Sequence, residues 1–133
     1  MAGALTISTL NNDTGVLATQ NGMTGIAKAW VNFDGSVSTP TLRSNFNVSS
    51  VTKNGTGDYT LNFTTSMPNA NYVMTGGCAS NTFDDNVTYT WKVKVPSSNQ
   101  LTGSCRINTV FANVGSSGNY ADFTNIYVAV FSS

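Results

Sequence analysis

The stretch Val51–Met74, "VTKNGTGDYTLNFTTSMPNANYVM", decides the fold class. It holds no histidine and no glutamate, and Lys53 and Asp58 are its only charges. "KNGTGDY" (Lys53–Tyr59) is turn chemistry, because Asn54-Gly55 and Gly57 supply the positive φ angles that tight hairpins need. Beyond the turn, Tyr59, Leu61 and Phe63 alternate with Thr60, Asn62 and Thr64. An apolar face and a threonine-rich face on one strand predict a sheet with one buried side. Upstream, Phe46 and Val48 share one parity and Val51 has the other. A strand changes face only by taking in an extra residue, so a bulge or bend is expected at Ser49-Ser50.

The same alternation recurs along the chain, and helical periodicity is absent. Strands are expected near 3–9, 26–34, 42–53, 58–65, 71–80, 87–95, 100–110 and 124–132. The fold class is therefore all-β, an antiparallel β-sandwich or jelly-roll-like barrel of about eight short strands. Residues 26–133 form a single domain, and residues 1–25 read as an N-terminal arm. In "AKAWVNFD" (Ala27–Asp34), Ala27, Ala29, Val31 and Phe33 make the inner face, which leaves Trp30 outward with Lys28 and Asn32. An outward Trp predicts a partner or ligand contact, or a loop folded over it. In "TYTWKVKV" (Thr88–Val95), Lys92 and Lys94 suit a sheet edge. "NIYVAVFSS" (Asn125–Ser133) is apolar on both faces, as in a central strand buried on both sides or part of a subunit interface.

Composition narrows the function classes. Of 133 residues only 9% are charged, against about 25% in an average globular chain. Six basic and six acidic residues cancel, so the surplus of positive charge expected of a nucleic-acid binder is missing. No apolar run approaches the ~20 residues of a bilayer span, so no membrane insertion is expected. The opening "MAGALTISTLNND" lacks a basic n-region and an apolar h-region, so Sec export is not indicated. Low charge gives weak protection against association, which leans towards an assembly.

Without histidine or glutamate the usual general bases are missing and no Ser-His-Asp or Cys-His arrangement can form. Asp34, Asp58, Asp84 and Asp85 sit beside turn residues, where aspartate serves the backbone. The chain reads as a non-enzyme with no cofactor. "NTFDDN" (Asn81–Asn86) presents Asp84 and Asp85 on a polar loop, a solvated surface before it is a calcium site. "VGSSGNYADF" (Val114–Phe123) carries Tyr120 and Asp122, an aromatic beside an acceptor, suited to stacking on a sugar and bonding its hydroxyls. Candidate partner or glycan contacts are thus Trp30, Asp84, Asp85, Tyr120 and Asp122. Cys78 and Cys105 are a candidate disulfide if their strands are neighbours, and otherwise two buried thiols.

Three segments together, "LTISTL" (Leu5–Leu10), "GIAKAWVNFDG" (Gly25–Gly35) and "FNVSSVTKNGTGDYTLNFTTSMPNANYVM" (Phe46–Met74), resemble a family of tailed-bacteriophage virion proteins. These are tail-fibre or structural proteins, and the likeness centres on residues 25–74. The resemblance implies a virion location, homotrimer formation, contacts with tail or major capsid proteins, and recognition of a host receptor or surface glycan. It implies no catalytic residue. Two other functions fit the same residues. One is a capsid decoration protein that clamps neighbouring shell subunits through residues 1–25. The other, from a different class, is a secreted carbohydrate-binding module.

Overall fold

The computed structural model describes residues 26–79, 87–93, 99–113 and 118–132, with only the backbone path described for 87–93 and 112–113. The expected strand 3–9, the arm 1–25, and the loop residues Asp84 and Asp85 lie outside the described residues. So do the side chains of Trp91 and Lys92.

The described chain is all-β and folds as two antiparallel sheets face to face, a β-sandwich. In chain order the strands are β1 (Ala29–Asp34), β2 (Thr41–Phe46), β3 (Val48–Gly55), β4 (Asp58–Phe63), β5 (Val73–Ala79), β6 (Val87–Val93), β7 (Ser104–Asn113), β8 (Asn119–Tyr120) and β9 (Asn125–Phe131). One sheet runs β2-β1-β9-β5, and the other runs β3-β4-β7-β6. The short β8 adds to β7 at Val110 and Phe111, beyond the residues that pair with β4.

The expected strand 42–53 is two strands in different sheets. Asn47 lies between them with φ 55°, a left-handed conformation that asparagine tolerates better than most residues. Its side chain fastens the crossing: Nδ2 donates to the carbonyls of Lys28 and Thr65, both at 3.0 Å, and the Thr65 N–H donates to Oδ1 at 2.7 Å. Phe46 therefore ends one sheet, exposed, and Val48 begins the other, buried. The expected bulge is present. Val48 pairs with Phe63 and Ser50 with Asn62, so Ser49 is the extra residue that lets Val48 and Val51 both face inward.

β4 follows its alternation: Tyr59, Leu61 and Phe63 are buried and the polar residues between them are not. The polar outer face is a hydrogen-bonded ladder. Asn62 Nδ2 donates to Ser50 Oγ at 3.0 Å and Thr52 Oγ1 at 3.2 Å, and Asn54 Nδ2 donates to Thr60 Oγ1 at 2.9 Å. Arg106 closes this face with two bonds to the Asp58 carboxylate, at 2.7 and 2.5 Å. The abundance of threonine and asparagine is thus explained by neutral cross-strand pairing. The turn places Gly57 at φ 61°, where an added Cβ would lie 2.5 Å from the Thr109 carbonyl oxygen, so only glycine fits.

Between the sheets lie Ala29, Val31 and Phe33 of β1, Ile126, Val128 and Val130 of β9, and Val48, Val51, Tyr59, Leu61, Phe63 and Ile107 of the opposing sheet. β9 is the central strand expected of "NIYVAVFSS", paired with β1 on one side and β5 on the other. Only one of its faces is buried; Tyr127 on the other is 50% exposed.

Cys78 is on β5 and Cys105 on β7, in different sheets, and both are buried thiols. The candidate disulfide does not form. Stacked sheets lie roughly 10 Å apart, and a disulfide needs Cα atoms within about 7 Å. Burial pushes the Cys78 thiol up to about 11 and the Cys105 thiol up to about 12. Both thiols are therefore expected to resist a disulfide-exchange reagent at pH 8 in the native chain and to react within minutes in urea. A chain that released no thiol on unfolding would contradict this.

Candidate functional site

The outer faces of the two sheets differ in chemistry. On β1, alternation that buries Ala29, Val31 and Phe33 turns Trp30 outward, 39% exposed, and no described loop covers it. Lys28, expected beside it, is buried, and its backbone N–H donates to Val130 O at 2.7 Å. Register then decides what surrounds Trp30. It pairs with Phe46 on one side and Ala129 on the other, and Ala129 pairs in turn with Thr75. The next row is Ser44, Asn32, Tyr127 and Gly77. Phe46 and Val73 extend the apolar character to the two edge strands of the sheet, both exposed.

Small residues shape this surface. Ala129 separates Trp30 from Thr75, and Gly77 lies under the Tyr127 ring: an added Cβ there would sit 2.7 Å from the Tyr127 hydroxyl and 2.9 Å from its ring carbons. The result is an open groove of about 500 Å³ lined by Trp30, Asn32, Ser44, Thr75, Tyr127 and Ala129 with neighbouring backbone. Among the described residues, no charged side chain lines it and Asn32 Oδ1 is buried with no hydrogen-bond partner.

Of the expected contacts that fall among the described residues, only Trp30 lies in this groove. Tyr120 is exposed, 51%, but stands on β8 in the other sheet. Asp122 is a fastener between loops. Its Oδ1 accepts from the Gly57 N–H at 2.8 Å and the Tyr59 hydroxyl at 2.6 Å, and its Oδ2 accepts from Lys53 Nζ at 2.7 Å. Lys53 also donates to the carbonyls of Gly35 and Val37, at 3.0 and 3.2 Å. The other described aspartates are likewise in ion pairs, Asp34 with Arg43 and Asp58 with Arg106.

Burial raises the Asp122 pKa, but the Gly57 N–H, Lys53 and the Tyr59 hydroxyl outweigh it and hold the carboxyl below its ordinary range. Burial and the neighbouring carboxylate push the Tyr59 phenol the other way, far above its usual value. A depressed folded pKa contributes stability above the unfolded value, about 3.9 for aspartate, and loses it as pH falls through the folded one. The urea midpoint is thus expected to be unaffected by this group above about pH 5 and to fall below about pH 4. Asp122→Asn should lower the midpoint at pH 7 and flatten that acid limb; an equally steep limb in the variant would contradict the assignment.

Of the other lining residues, Asn32 shares the outward parity of Trp30 in the sequence, whereas Ser44, Thr75 and Tyr127 carry no local signal, because the groove is made by pairing among β2, β1, β9 and β5. Compared with known protein families, curated proteins and solved structures, the chain matches none.

Proposed function

We propose that this chain is a non-enzymatic surface protein of a tailed-bacteriophage virion, of the tail-fibre or tip kind, that recognises the host cell surface. One observation carries the recognition part: Trp30 and Tyr127 stand in the open around a groove on the outer face of one sheet, while the outer face of β3 and β4 in the other sheet is a polar ladder bonded to itself. Exposed aromatic surface beside polar groups marks a contact site. The described carboxylates support a non-catalytic reading, because each is engaged by a cation that holds a turn or strand in place. The virion setting and the homotrimer rest on the sequence resemblance over residues 25–74.

Blocking of phage adsorption tests the proposal. Purified full chain, given to host cells ahead of the phage that encodes it, is expected to reduce adsorption in a saturable way. Adsorption unchanged at saturating chain would overturn the recognition role.

A further inference from the structure

We infer that the groove on the β2-β1-β9-β5 sheet is a binding site for a neutral glycan, held by stacking on Trp30 and Tyr127 and by hydrogen bonds from Asn32, Ser44 and Thr75. The inference rests on the host-recognition reading above and names the ligand class of that surface.

The choice of ligand follows from the lining. With no charged side chain among the described residues around the groove, a phosphate or carboxylate would find no cation there to replace its hydration. A purely apolar partner would leave the amide of Asn32 and the hydroxyls of Ser44 and Thr75 desolvated and unpaired. A pyranose satisfies both requirements. One face of its ring presents C–H groups of slight positive charge, which suit the negative face of an aromatic ring. Its rim presents hydroxyls that donate and accept, matching an amide and two hydroxyls that do the same. The volume, about 500 Å³, lies within the usual range for small-ligand sites.

Two further observations favour a built site. Asn32 keeps Oδ1 buried without a partner among the described residues, and native structures pair nearly all such atoms. A turn of the Asn32 amide towards the groove presents that acceptor to a sugar hydroxyl. Tyr127 is set in place by its neighbour, since its ring occupies the space that any side chain at position 77 would take. A ring already ordered loses less entropy when a ligand stacks on it.

The test is a ¹H–¹⁵N NMR titration of the full chain with neutral trisaccharides of glucose, galactose, mannose and N-acetylglucosamine, and with sialyllactose as an anionic comparison. At least one neutral sugar is expected to shift the amides of Trp30, Asn32, Thr75, Tyr127 and Ala129 saturably, and more strongly than sialyllactose. Trp30→Ala and Tyr127→Ala should each weaken binding roughly ten-fold while the remaining spectrum keeps its dispersion. Trp30→Phe should retain most of the affinity. Gly77→Ala, which keeps both aromatics but displaces the Tyr127 ring, should also weaken it.

Three results would overturn the inference. The first is no shift with any neutral sugar. The second is shifts that map to the Tyr120 end of the other sheet. The third is movement of the groove amides on dilution of the chain alone, which would make the face a seat for a second copy. Each of these leaves the adsorption experiment free to succeed, so loss of the glycan site and loss of the recognition reading are distinguishable.

Discussion

Replacing Tyr59 by alanine is expected to cost about 4 kcal/mol of stability, a large part of the roughly 5–15 kcal/mol by which native domains are stable. Tyr59 is fully buried, and its ring meets Phe33 edge-on with centroids 5.3 Å apart and planes at 71°. It therefore joins the inner faces of the two sheets. Its hydroxyl donates to Asp122 at 2.6 Å and lies 3.0 Å from the Gly35 carbonyl oxygen, tying the loop after β1 to the segment before β9. Alanine would leave a ring-sized cavity and remove one of the donors that keep Asp122 ionised. Tyr59→Phe separates the two effects. It keeps the packing and loses only the hydroxyl, at an expected cost of about 1–2 kcal/mol. Urea unfolding at pH 7 measures both. A Tyr59→Ala variant as stable as Tyr59→Phe would show that the ring does not carry the contact between the sheets.

Gly76→Ala is expected to destabilise the chain by roughly 3 kcal/mol. Gly76 pairs with Val128, and an added Cβ would collide with the carbonyl oxygen of Tyr127, a backbone atom held in the β5–β9 ladder. The strand must leave its partner or distort to admit a methyl group. The adjacent Gly77→Ala meets only the far end of the Tyr127 side chain, not backbone, so its cost should be near 1 kcal/mol. The contrast isolates backbone approach from general loss of a glycine. Equal urea midpoints for the two variants would contradict it.

Much of the fold was legible in local alternation. Tyr59, Leu61 and Phe63 announced β4, and Ala29, Val31 and Phe33 announced β1, because a half-buried strand writes its environment with a period of two. The parity switch before Val51 announced the Ser49 bulge for the same reason. What alternation does not encode is which sheet a strand joins. The division of 42–53 turns on one left-handed residue, Asn47, and an asparagine before valine looks like any polar strand residue.

The candidate site was half legible. Trp30 faced outward by parity alone. Asn32 follows by the same parity, whereas Ser44 comes from β2 and Tyr127, Ala129 and Thr75 from β9 and β5, and their approach depends on register between strands. Asp122 misled for a related reason. Its neighbours in sequence suggested a sugar contact, whereas the groups that claim its oxygens, Lys53, Gly57 and Tyr59, are 63 to 69 residues away. A carboxylate in a Gly/Ser-rich loop reads alike whether it meets a ligand or a distant lysine.

Gold-labelled antibody localisation of this chain on purified phage particles by electron microscopy tests the proposed virion role. Label is expected at the tail end, where a protein that recognises the host surface must stand. Label over the head would contradict it and make the chain a decoration protein, and particles with no label would contradict the virion setting itself.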